Sequence, residues 1–162
     1  MGLSLSLWDS RMFSKRVLVF MFHLFVAANS LHSLQQPSLS SCHDDESFAL
    51  LQFKKSFVID ESASVGEDAY PKILSWKPAA AKECCSWDGV ECDLKTGYVV
   101  GLDLSSSYLS GTINTNSTLF HLAHLQRLNL ADNDFNQSQI PITIRNLPML
   151  HYLNLSGSFF SG

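Results

Sequence analysis

The sequence is poor in charge, with Asp, Glu, Lys and Arg making up 16 % of its 162 residues, and its eleven bases form no block. Recognition of nucleic acid needs clustered Lys and Arg to neutralise phosphate, so that function class is set aside. Past the first thirty residues no run of eighteen apolar residues occurs. The chain as given is therefore expected to hold no transmembrane helix, and no C-terminal anchor signal is found. The four cysteines, Cys42, Cys84, Cys85 and Cys92, are not arranged as spaced pairs that could converge on one zinc ion. His43, His121, His124 and His151 stand singly, with no cysteine or serine nucleophile beside them in a defined geometry. Asp44, Asp45 and Glu46 lack the further oxygen ligands that calcium requires. No enzymatic activity, metal or cofactor is expected.

What is present begins with a leader. Arg11, Lys15 and Arg16 precede the apolar run Val17 to Ala28, which ends with Val26 and Ala28 at the spacing of a cleavage site. Twelve residues interrupted by His23 are too few to cross about 30 Å of hydrocarbon. Residues 1–28 are read as a signal peptide, with Met12 an alternative start. Cleavage after Ala28 takes the formal charge from -4 to -6. In an oxidising compartment four cysteines support two disulfides, for which three connectivities exist on paper.

Residues 29–98 read as a capping region. A serine-rich lead through Pro37 runs to residue 41, and Asp44 then has the chemistry to cap a helix with Asp45 and Glu46 in its first turn. Ala49, Leu50, Phe53 and Phe57 recur at helical spacing, predicting about three turns that end near Phe57. Ser62 to Glu67 reads as a surface loop of freely variable length, without chemistry of its own. Trp76 and Trp87 are expected in the core of the cap. Asp88-Gly89 signals a turn, after which Val90 begins a strand able to pair with Val99-Val100 across Thr96-Gly97.

Residues 99–162 repeat. Leu102-Asp103-Leu104, Leu128-Asn129-Leu130 and Leu153-Asn154-Leu155 are separated by 26 and then 25 residues. Each is followed at equal distance by an apolar anchor, Leu109, Phe135 or Phe160. Alternating leucines point one way from a short strand, and the next repeat buries the apolar side that one unit cannot cover alone. The three strands are expected to lie parallel, with Leu104, Leu130 and Leu155 inward. Ser107, Asn133 and Ser158 stand at the position where a buried Asn can satisfy the backbone of neighbouring turns. Serine does so only in part, so the outer two rungs are expected to be weak.

These pieces together resemble the beginning of plant leucine-rich-repeat receptor-like proteins, and more distantly receptor-kinase ectodomains and polygalacturonase inhibitors. The matching residues are Cys42 to Glu46 with Ala49 to Lys54, then Leu74-Ser75-Trp76, Cys84 to Asp93, and the repeats. The resemblance implies an α/β fold, a right-handed solenoid behind a disulfide-bonded N-terminal helical cap, truncated at the C-terminus within its last repeat. It implies the pairs Cys42 with Cys84 and Cys85 with Cys92. Neighbouring residues of an extended chain face opposite ways, which agrees in part.

The resemblance also implies recognition of an extracellular peptide, protein or glycan, with a partner receptor kinase for the full-length protein, in defence or developmental signalling. The location implied is the plasma membrane for a full-length protein, and the apoplast for this chain. The alternatives are a secreted inhibitor of a microbial wall-degrading enzyme and a non-functional truncated product. Ligand contacts are expected at positions between the leucines: Gln126, Arg127, Asn129, Asp132, His151 and Tyr152. Arg127 and Tyr152 lead, because Arg and Tyr most often carry interface energy. The sequons at Asn116, Asn136 and Asn154 are expected to be glycosylated, with a glycan on Asn154 covering part of the strand face.

Overall fold

The computed structural model describes residues 41–161. The expected signal peptide and the lead up to residue 40 lie outside the described residues. Among the described residues no helix is long and apolar enough to cross a membrane.

Helix α1 spans Asp44–Lys54 and buries Ala49, Leu50 and Phe53. Asp44, Asp45 and Glu46 fill its first turn, where acids offset the exposed amides and the dipole. The cap expected at Asp44 shifts by one residue: the N-cap is His43, which makes no side-chain capping bond. Its Nε2 instead meets the Thr96 carbonyl oxygen at 2.9 Å. The helix also stops short of Phe57. Phe57-Val58-Ile59 are aromatic and β-branched, residues that prefer extended backbone. They form β1 (Phe57–Ile59), paired antiparallel with β4 (Leu109–Gly111). Phe57 still reaches the core, edge-on to Phe53 at 4.9 Å and to Phe135 at 5.8 Å.

The cap is held by the disulfides Cys42–Cys84 and Cys85–Cys92, as the resemblance implies. Trp76 and Trp87 are buried and stacked at 5.7 Å. The Trp76 indole N–H donates to the Asp88 carbonyl at 3.0 Å, which ties the first tryptophan to the turn that starts the sheet.

That sheet has the order β2-β3-β5-β6. Strand β2 (Val90–Cys92) forms the expected hairpin with β3 (Val99–Asp103). From there β5 (Arg127–Asn129) and β6 (Tyr152–Asn154) add in parallel, with Leu102, Leu128 and Leu153 in register. Leu104 and Leu130 are buried and Leu155 is partly buried against the same core, so all three face the predicted way. Between strands the chain returns through short 3-10 turns, Thr118–His121 and Ile142–Asn146.

Asn133 is fully buried at the chain's exit from β5. Its Nδ2 donates to the carbonyls of Leu104, Leu130 and Ala131 at 2.8 to 3.1 Å. Its Oδ1 accepts from the amides of Ser107 and Leu109 at 3.2 and 3.0 Å. Ser107 and Ser158, equally buried, only donate to carbonyls through their hydroxyls. The ladder has its strong rung in the middle, as the residue types require.

Candidate binding surface

The residues between the leucines line one face of the parallel sheet. Gly101, Arg127 and Tyr152 occupy one register position on β3, β5 and β6. Asp103, Asn129 and Asn154 occupy another, two residues on, so their side chains project to the same face. A small cavity of about 160 Å³ opens there, lined by Glu91, Gly101, Asp103, Arg127, Asn129 and Tyr152 among others.

Its charges are paired. The Arg127 guanidinium bonds the Glu91 carboxylate across Gly101. A Cβ at Gly101 would meet Glu91 at 2.9 Å and Arg127 at 3.3 Å, so the missing side chain keeps this floor open. Lys72 reaches in from the cap, 3.3 Å from Asp103 Oδ1 and 2.8 Å from the Ser105 carbonyl. Partial burial pushes the Asp103 carboxyl up, but the Ser105 hydroxyl and amide, with Lys72, outweigh it and hold Asp103 below the usual carboxylate range. Tyr152 leaves 46 % of its surface to solvent at the rim. The Glu91 carboxylate offsets the charge that Arg127 offers to an incoming anion, whereas the exposed Tyr152 ring offers its face to a planar apolar group.

Of the six expected contact residues, the cavity gathers Arg127, Asn129 and Tyr152. Asn129 Oδ1 also accepts from the Ala131 amide at 3.2 Å. Gln126 stands just before β5, half-buried, and its carbonyl accepts from the His151 and Tyr152 amides. His151 is exposed, with Nδ1 3.2 Å from the Met149 carbonyl oxygen.

Asp132 is engaged elsewhere. Its carboxylate accepts from the Val65 amide at 2.9 Å, the Gly66 amide at 3.1 Å and the Ser106 hydroxyl at 2.7 Å. Slight burial raises its pKa, yet these donors together bring it below the ordinary value. The Ser64 hydroxyl completes the clasp on the Asp132 carbonyl at 2.7 Å. The segment read as a free loop is thus fastened to the second repeat, and its Ala63 and Ser64 are buried. A change in its length would disturb that junction.

The sequence reading missed Glu91, Gly101 and Lys72. Glu91 and Gly101 carried a signal, since they are partners in the predicted hairpin and flank Arg127 once β5 is added. Lys72 lies 31 residues from Asp103 with no periodicity to link them. Asn116 and Asn136 are exposed, and Asn154 sits on β6 with its Oδ1 accepting from the Ser156 amide and hydroxyl. The sulfurs of Cys42, Cys84 and Cys85 lie within 4.8 Å of one another, but disulfide bonding removes the thiolates a metal would need.

Comparison with known proteins agrees with this architecture. The family described as "Leucine rich repeat N-terminal domain" matches residues 43–93, from the N-cap of α1 through the β2 strand. Receptor-like protein 6 of Arabidopsis thaliana is 42 % identical over 164 residues, which cover 96 % of this chain and 16 % of that protein. The chain thus spans about a sixth of the length of this curated relative. Among solved structures, the BIR3–SERK2 complex of Arabidopsis thaliana contains a chain with 31 % identity and a TM-score of 0.55, covering 70 % of this chain and 56 % of that one. The ectodomain of the Arabidopsis receptor kinase HAESA, solved with an IDA peptide hormone, gives 29 % identity and a TM-score of 0.53, covering 69 % of this chain and 16 % of that one. The chain is a leucine-rich-repeat protein with a disulfide-bonded N-terminal cap, closely related to plant receptor-like proteins and to the ectodomains of leucine-rich-repeat receptors.

Proposed function

We propose that this chain supplies the cap and first repeats of an extracellular recognition surface, within a plant receptor-like protein that acts in defence or developmental signalling. In this reading residues 1–28 direct it into the secretory pathway, residues 29–98 form the cap, and residues 99–162 begin a right-handed solenoid at the plasma membrane or in the apoplast. The observation that carries it is the strand face itself. It sets Arg127, Asn129 and Tyr152 around one cavity while the leucines between them hold the core. The HAESA ectodomain binds a peptide hormone, and BIR3 is found in complex with SERK2. A peptide ligand and a partner receptor kinase are accordingly the proposed partners here. His151 and Gln126 flank the same face as secondary contacts. Glycans at Asn116 and Asn136 leave this cavity clear, whereas one at Asn154 narrows it.

The test uses the protein extended to its full natural length, with binding measured against a panel of synthetic secreted peptides and a soluble partner-kinase ectodomain. Arg127→Ala and Tyr152→Ala are expected to weaken whichever interaction is found by about fivefold or more, the usual level for an interface anchor. Arg145→Ala, an exposed change in a 3-10 turn off the sheet, is expected to leave it unchanged. Equal affinity for all three variants would remove this face from recognition.

A further inference from the structure

The cap carries a second and larger cavity that shares no lining residue with the one on the sheet. It is a groove of about 560 Å³ between α1, β1 and the Lys72–Ser75 turn. Ile73 and Trp76 are its buried members, and Leu51, Phe57, Phe48 and Leu74 are among the other apolar residues that line it. Phe48 is 60 % exposed and Leu74 55 % exposed. Large apolar side chains left open together, in a groove of the size that accommodates small ligands, mark a binding site more than a packing defect.

Charge distinguishes this groove from the sheet cavity. Lys54 and Lys55 line it, and Lys77 lies in the chain between the lining residues Trp76 and Pro78. Three ion pairs occur among the described residues, and none involves these lysines. The Lys54 ammonium donates to the Trp76 carbonyl at 2.9 Å and Lys55 to the Gln52 side chain at 3.1 Å. Partial burial, with the charge of Lys77 added, lowers the pKa of Lys54. In a chain of net charge -4, a groove whose lining holds two lysines and no acid carries a local positive excess that an anion would relieve.

We propose that this groove binds a medium- or long-chain carboxylate, with the hydrocarbon along Trp76, Ile73 and Leu74 and the carboxylate on Lys54. An extended peptide fits the walls less well. It would bring amides and carbonyls against a lining that, apart from Gln52 and the lysines, offers almost nothing to bond them. A hydrocarbon chain has no such groups, and each buried methylene tightens binding by about fourfold.

The experiment is calorimetric titration of the secreted chain, freed of its leader, with dodecanoate below its micellar concentration. One site per chain is expected, with octanoate weaker by at least about tenfold and dodecylammonium unbound. Lys54→Gln should weaken dodecanoate by about fivefold, the scale of one charge-assisted bond. Leu74→Glu and Phe48→Glu, at positions already exposed, should abolish binding while the near-ultraviolet circular dichroism stays native. Dodecylammonium bound as tightly as dodecanoate would overturn the proposal, as would dodecanoate binding unaltered by both glutamate variants, or no binding by the wild-type chain.

Discussion

Leu128 and Leu153 hold the same place in successive repeats and are partners across one parallel ladder, yet Leu128 is fully buried and Leu153 is 42 % exposed. Leu102, on the other side of Leu128, is also buried, because β2 and the cap cover it. The same contrast runs through the apolar anchors: Leu109 and Phe135 are closed off, whereas Phe160 is only partly buried beside the exposed Phe159. Identical sequence pattern therefore produces different burial according to what lies on each side. In a repeat protein the core belongs to the interfaces between units, and the unit on its own does not create it.

The largest expected effect tests that contrast directly. Leu128→Ala removes a side chain enclosed on both sides and should cost about 2 to 5 kcal/mol of unfolding free energy. Leu153→Ala, at the same repeat position, should cost about 1 kcal/mol or less because solvent already reaches it. Urea unfolding of the two variants measures both. Equal losses would mean that burial at the middle strand is set by its own sequence and not by its neighbours.

A smaller effect is expected along the polar ladder. Asn133→Ala would strip the amides of Ser107 and Leu109 of their acceptor inside the core, at about 2 to 4 kcal/mol for two orphaned donors. Ser158→Ala loses a hydroxyl donor whose main acceptor, the Leu130 carbonyl, keeps the Asn133 bond, and should cost about 1 kcal/mol. Paired urea curves again decide. If Ser158 proved as costly as Asn133, the ladder would be uniform and the middle repeat would have no special role.

What could be read from sequence follows the same divide between local and distant causes. The inward leucines, the parallel pairing, the tryptophan core and the role of Asn133 follow from periodicity and residue chemistry within one or two repeats. The disulfide pairing came from resemblance, since the residues alone left three connectivities. The end of α1 was misplaced because Phe57 fits helical spacing and strand propensity equally. Its partner Gly111, 54 residues later, decided between them. The capture of Asp132 by Val65 and Gly66, and the meeting of Lys72 with Asp103, join residues that no repeat period connects. The apolar groove arises in the same way, from a helix face, a strand and a turn that carry no common motif.

The smallest effect, one of slope, concerns the junction that gives the inner repeat its cover. Glu46 is buried there, accepting from the Val99 amide at 2.8 Å, with His124 Nδ1 at 4.0 Å from its other oxygen. Tyr98 lies sandwiched between the rings of His43 and His124 at 3.9 and 3.7 Å, so the cap and second repeat meet around this carboxyl. Burial raises its pKa above the ordinary 4.5; the Val99 amide pulls it down, Asp45 pushes it up, and His124 and His43 pull it down, yet burial prevails. The folded chain therefore takes up this proton before the unfolded chain does. The contribution of Glu46 to stability is complete below 4.5 and is lost as pH rises through its higher folded value. Asp132 and Asp103 run the other way: their folded values lie below 3.8, so their contribution is present above 3.8 and fades as pH falls through those values. Relative to Glu46→Gln, the wild type should gain stability as pH falls from 7 toward 4.5, while Asp132→Asn should flatten the loss below 3.8. Urea midpoints at pH 7, 5.5, 4.5 and 3 measure both arms. Parallel profiles for the wild type and Glu46→Gln would show that this carboxyl adds no pH dependence to the junction shielding the first repeat, and its part there would then be one of packing and hydrogen bonding alone.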